Sequence, residues 1–147
     1  MRTAVDTAVL LDVLGGDAEF GAASREALRA AYDAGSLVAS EVVWAELRAH
    51  FADELAFEKA AGALGLDFTP IGPGAAALAG QLWRKQRAST RKSRAAQPAR
   101  GPGPAESRRV LADLLIGAHA LKQADALLTR DRAFYRAYFK GLRVLEP

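Results

Sequence analysis

Cysteine is absent from the chain, which excludes disulfides, zinc–thiolate centres and thiol nucleophiles. An intracellular setting is thereby permitted. Histidine is almost absent: His50 and His119 stand far apart, which gives no basis for a paired-imidazole acid–base mechanism. Long hydrophobic runs are missing too, because Arg, Asp, Glu or Lys interrupts every candidate, so no membrane-spanning segment is expected. The first residues enter a strand at once, without the layout of a signal peptide. Cytoplasm is the expected compartment, and no internal repeat is evident.

What remains is ordinary in bulk and uneven in detail. The 147 residues, half of them hydrophobic and a quarter charged, suit one compact soluble domain spanning 1–147. The net charge of +3 conceals a segregation. Nine basic residues and a single acid, Glu106, lie between Arg84 and Arg109, so that segment carries +8 and the remainder −5. A mildly acidic body with one basic flap suits a polyanionic partner; a solvated loop is the plainer reading of the same run. The stretch from Gln97 to Pro104 is rich in Pro and Gly and cannot continue a helix, so a basic flexible loop is expected at about 84–109.

Periodicity and punctuation predict alternating strands and helices. Short strands are expected at Arg2–Val5, Leu37–Ala39, Leu66–Ile71, Ala126–Leu128 and Leu142–Leu145. Helices are expected from Thr7 to Leu14, from an Asp17 cap to about Asp33, from a Ser40 cap to about Phe51, and from Asp53 or Glu54 to Leu64. Another should run from Ala75 through Leu78, Leu82 and Trp83 into the basic segment, and two more from about Ala105 to Gln123 and over Asp131–Phe139. Such alternation predicts a three-layer α/β/α sandwich around a mostly parallel sheet.

Four acids interrupt otherwise apolar stretches: Asp6 after Thr3-Ala4-Val5, Glu46 after Val42-Val43-Trp44-Ala45, Asp113 within Val110–Ile116, and Asp131 after Leu127-Leu128-Thr129-Arg130. Acids in such surroundings are usually paired or bound to a metal. Each also has a plainer reading. Asp6 and Asp131 suit helix caps, Asp113 a polar stripe, and Glu46 a buried acid with a basic partner. Functional groups gather at the carboxyl ends of parallel strands, so one cleft can collect all four. Converged, they would form a hard oxygen site suited to Mg²⁺ or Mn²⁺, which points to chemistry on phosphates. Gly117, one turn on from Asp113, is expected to leave that face open for a metal or phosphate.

Several conspicuous residues are assigned to structure. His119 is six positions from Asp113 and off its face, so a packed or exposed role is expected. His50 is expected in a surface pair with Glu46. Trp44 and Trp83 suit core or interface anchors, Asp12 a surface or ion-pair acid, and Tyr135, Tyr138 and Phe139 packing of the last helix.

Asp6-Thr7, Trp44-Ala45-Glu46-Leu47, Ala112-Asp113-Leu114-Leu115-Ile116-Gly117-Ala118-His119-Ala120 and Leu127-Leu128-Thr129-Arg130-Asp131-Arg132-Ala133-Phe134 together resemble the ordered acidic motifs of PIN-domain nucleases. The likeness is to VapC-type toxins of bacterial toxin–antitoxin pairs and runs from Asp6 to Val144. It implies a PIN-like fold and a Mg²⁺- or Mn²⁺-dependent endoribonuclease acting on cellular RNA of the tRNA or rRNA class. Asp6, Glu46, Asp113 and Asp131 would be its catalytic quartet, with Asp6, Asp113 and Asp131 as metal ligands and Thr7 and Thr129 as supporting hydroxyls.

A cognate antitoxin and a second copy of the chain are the partners implied, with no membrane. Arg84, Lys85, Arg87, Arg91, Lys92, Arg94, Arg108 and Arg109 are the candidates for gripping RNA phosphates. Ala8 departs from the pattern, since many members carry a second small polar residue there. The same departure disfavours a haloacid-dehalogenase-type phosphatase with Asp6 as nucleophile, which would want a second Asp at that position. A catalytically silent RNA-binding or antitoxin-docking module is the competing function.

Overall fold

A computed structural model describes residues 1–96 and 103–147. Five strands form one sheet in the order β3-β2-β1-β4-β5: β1 (Arg2–Val5), β2 (Ser36–Ala39), β3 (Leu66–Phe68), β4 (Ala126–Leu128) and β5 (Val144–Leu145). Every pair is parallel, with Ala4 opposite both Val38 and Leu127. Parallel strands covered on both faces must be apolar without alternation. Accordingly Thr3–Val5, Leu37–Ala39 and Ala126–Leu128 are buried throughout. Leu66–Ile71 yields only three strand residues, because Pro70 has no N–H to give a ladder.

Among the described residues seven helices flank this sheet in an α/β/α sandwich: α1 (Thr7–Leu14), α2 (Gly21–Asp33), α3 (Glu41–Arg48), α4 (Glu54–Ala63), α5 (Pro73–Ala96), α6 (Pro104–Gln123) and α7 (Arg132–Tyr138). Asp53 caps α4, its carboxylate accepting from Ala56 N at 2.8 Å. Asp17 instead accepts from the N–H groups of Glu19 and Phe20, which closes a turn and delays α2 to Gly21. Ser40 precedes α3 without a side-chain cap bond, its hydroxyl buried and unpartnered. The core runs through Val9, Leu10, Leu37, Leu47, Phe57, Leu114, Leu127 and Leu128, all nearly inaccessible. No helix among the described residues is long and apolar enough to cross a membrane.

The basic segment is not the loop expected at 84–109. Residues up to Ala96 continue α5, and α6 begins at Pro104. Between Leu82 and Ala96 only good or neutral helix formers occur, so nothing stops the helix before 97. Pro104 is tolerated because the first helical position needs no N–H partner. The expected Pro/Gly interruption at 97–102, Arg100 included, lies outside the described residues.

Candidate active site: an acidic cleft at the carboxyl edge of the sheet

Strand order reverses between β1 and β4: β2 and β3 extend one way from β1, β4 and β5 the other. At such a switch point the loops leave in opposite directions and open a crevice. Asp6 follows β1 directly, its N–H donating to Leu128 O at 2.9 Å, and Asp131 follows β4. α3 carries Glu46 and α6 carries Asp113 to the same place. All four acids line one cleft of about 770 Å³, with Thr7, Ala8, Leu11, Ala49, His50, Arg109, Arg130 and Tyr135.

Two threonines orient two of the acids. Thr129 is fully buried; its hydroxyl donates to Asp6 Oδ2 at 2.6 Å and accepts from Asp131 N at 3.0 Å. That relay ties the end of β1 to the start of α7. Thr7 donates to Glu46 Oε2 at 2.5 Å. Asp131 caps α7 by accepting from Phe134 N at 3.1 Å, so the capping reading and the cleft placement hold together.

The electrostatics follow from the convergence. Burial pushes the Asp6 carboxyl up from its ordinary value; the bond from Thr129 opposes this, and the charges of Glu46 and Asp131 add to it. Asp113 is pushed up to about 6, first by burial and then by the Asp6 charge, with Arg109 pulling the other way. Asp113 is half-buried in the cleft wall rather than on a solvated stripe. Burial first, and neighbouring acids second, disfavour the ionised carboxylates, a cost that a bound cation would offset. Among the described residues, however, no three acidic or histidine side chains stand close enough to form a ready-made metal-ligand group. The quartet shares a cleft rather than a point.

Because the folded value of Asp113 lies above the ordinary 3.8, its contribution is fully present below about pH 4. It is lost as pH rises through about 6. Asp113→Asn should therefore raise the Tm at pH 7.5 by about 2–4 °C, roughly 1 kcal/mol once solvent screening of a half-buried group is allowed for. At pH 3.5 the difference should vanish. Thermal melts at both pH values check this, and equal melting points at pH 7.5 would refute it.

One further expectation is overturned and several are met. Gly117 does not leave an opening: a Cβ there would lie 2.2 Å from the Phe139 ring, which already fills the space. Of the two expected roles Asp12 takes the ion-pair one and is buried rather than on the surface: it accepts from Ser24 Oγ at 2.7 Å and pairs with Arg130 Nε at 3.3 Å. Arg130 also lies over the Phe20 ring, 4.2 Å from its centroid, and so arrives at the cleft pre-oriented. His50 meets Glu46 through the backbone carbonyl, its Nδ1 at 2.9 Å. His119 is packed, as the helical angle requires, and burial lowers its pKa. Trp44 is a core anchor, edge-on to Phe57 and Phe68.

The basic residues divide by helical face. Arg87, Arg91 and Arg94, at i, i+4 and i+7 on α5, line a groove of about 460 Å³ with Trp83 and Arg108. Arg87 lies over the Trp83 ring at 4.9 Å. Arg109 turns instead into the acidic cleft. Arg84, Lys85 and Lys92 are exposed and line neither. Sequence reasoning missed Arg130 and Tyr135 as cleft residues. They flank Asp131, one on each side, but Arg130 is aimed by Asp12 and Phe20, more than a hundred positions away.

A parallel α/β/α sandwich with ordered carboxylates at its switch point defines a class of fold and site. Residues 3–140 match the PIN domain, and the chain belongs to the PIN-domain family. It shares its fold with VapBC2 from Rickettsia felis, solved bound to a DNA fragment from their promoter, at 16% identity and a TM-score of 0.62; the likeness covers 99% of this chain and 98% of that one. DNA-bound VapBC from Salmonella typhimurium is similar at 17% identity and a TM-score of 0.57, with the same coverage. No curated protein matches the chain.

Proposed function

We propose that this PIN domain is a Mg²⁺- or Mn²⁺-dependent endoribonuclease, the toxin of a VapC-type toxin–antitoxin pair, acting on cellular RNA of the tRNA or rRNA class. The observation that carries the reading is the shared cleft: four acids from four separate parts of the chain line it, two of them held by threonine hydroxyls. The donor set is all oxygen, which fits a hard divalent cation. Asp6, Asp113 and Asp131 would hold that cation, which supplies a water of lowered pKa and relieves charge on the phosphate oxygens.

The chain's own residues then divide the remaining work. Thr129 keeps Asp6 turned into the cleft. Glu46, with Oε2 held by Thr7, has its other oxygen to accept a proton from the attacking water. Arg109 and Arg130 bring positive charge to the cleft wall, where a phosphodiester must pass four carboxylates. The groove of Arg87, Arg91, Arg94 and Arg108, with the exposed Arg84, Lys85 and Lys92 nearby in sequence, would hold the RNA backbone by charge and without much base selectivity. The antitoxin partner and a homodimer belong to the same proposal. Exposed Phe20, Tyr32, Leu55 and Phe68 offer apolar surface for either.

A second reading, a catalytically silent RNA-binding or antitoxin-docking module, draws on the lack of a tight ligand group among the described residues. Incubating the purified chain with total RNA in Mn²⁺, Mg²⁺ or EDTA separates the two. Cleavage with either metal and none in EDTA is expected. Cleavage that persists in EDTA would sink the metal-dependent reading, and retention of RNA without cleavage would favour the silent module.

A further inference from the structure

Two polar groups in the cleft are left unmatched by its hydrogen bonds. Tyr135 is 1% exposed, and its hydroxyl is buried with no partner although the residue lines the cleft. Buried hydroxyls are nearly always satisfied, so an orphan calls for a cause. Asp113 is the complementary case. No hydroxyl or N–H among the described residues bonds its carboxylate, and only the charge of Arg109 favours its ionised form. The other acids each have a donor: Asp6 has Thr129, Glu46 has Thr7, and Asp131 has Phe134 N.

Both residues line the same cleft, and packing sets their two helices against each other. The Phe139 ring sits where a Cβ of Gly117 would stand, so α6 and the end of α7 touch there. Asp113 lies four residues before Gly117 and Tyr135 four before Phe139, one helical turn back on each. Burial and the charges of Asp6, Asp113, Asp131 and Glu46 all push the phenol up, so it keeps its proton and remains a donor. The ring is confined by Phe134 and Phe139. The half-buried Asp113 side chain is the freer of the two to turn.

We propose that Tyr135 is a positioning residue whose hydroxyl donates a hydrogen bond to the Asp113 carboxylate in the working cleft, as Thr129 does for Asp6 and Thr7 for Glu46. The proposal rests on the metal-dependent reading above. Partners that orient a metal-binding carboxylate typically matter by 10–100-fold in affinity or rate, whereas a hydroxyl that merely fills space should not.

Tyr135→Phe keeps the ring and removes the donor. Three measurements decide: Mn²⁺ binding by calorimetry, kcat and KM on RNA, and the Tm of the metal-free protein. Mn²⁺ affinity and kcat are each expected to fall by about 10–100-fold, with KM for RNA within about twofold. The Tm should stay or rise, since an unsatisfied buried hydroxyl has been removed. Mn²⁺ affinity and kcat within about twofold of the native chain would overturn the proposal. So would a Tm several degrees lower with Mn²⁺ affinity unchanged, which makes the hydroxyl structural. If the native chain itself binds no Mn²⁺, the metal-dependent reading falls and takes this one with it, a result distinct from failure of Tyr135 alone.

Discussion

Asp6→Asn should abolish the proposed RNA cleavage while leaving the fold intact. Asp6 stands at the switch point, at the end of β1, with Oδ2 held at 2.6 Å by Thr129 and a further bond from the backbone of Thr7. An amide keeps one acceptor oxygen but presents an NH₂ group to the second donor and removes the charge. Losing a charge aimed at the reacting group typically costs about 10²–10³-fold, and kcat on RNA should fall by at least that factor. Stability should move the other way. Burial raises the Asp6 pKa, so the ionised form weighs against folding at neutral pH, and the contribution present at low pH is lost as pH rises. The neutral amide escapes that loss. Cleavage assays paired with thermal melts check both halves: activity within tenfold of the native chain would remove Asp6 from the catalytic set.

Gly117→Val should destabilise the fold and disable the cleft together. A Cβ at this position already lies 2.2 Å from the Phe139 ring, and Phe139 is almost wholly buried, so the ring has no solvent to swing into. Overpacking of a closed core costs about 1–3 kcal/mol, and valine adds two methyls to the clash. A Tm about 3–10 °C lower is expected. The displaced ring also pushes on α7, whose cap is Asp131 and whose first turn carries Tyr135. A shift near 1 Å at a reacting centre can cost about 10²-fold, so kcat should fall even where the protein remains folded. A melting point within 1 °C of native would show that Phe139 does not pack against Gly117.

These two positions also separate what could be read along the chain from what could not. Asp6 was legible: a short apolar run, an acid and a threonine name a strand end and a helix start by local rules alone. Asp131 was equally legible, and its capping bond and its cleft position turn out to be one arrangement. Gly117 was misjudged. Its spacing from Asp113 suggested room for a ligand, but room depends on what arrives from elsewhere, and Phe139 arrives from 22 residues further along. The basic segment misled for a related reason. Charge runs and Pro/Gly punctuation suggested a loop, yet helix propensity carries α5 through the arginines to Ala96.

By itself, then, the sequence determined the alternation of elements, the burial of β1, β2 and β4, the family resemblance and the identity of the four acids. Those are properties of local pattern, period and order, and they need no distant partner. Only the tertiary structure decided that β1 and β4 lie side by side, which opens the cleft where their connections diverge. It alone pairs Thr7 with Glu46 across 39 positions and Thr129 with Asp6 across 123. It alone divides the arginines between groove and cleft, and buries the Tyr135 hydroxyl at the acidic cleft without a bond. The direction in which a side chain points is set by residues packed against it from elsewhere in the chain, and no local pattern encodes it.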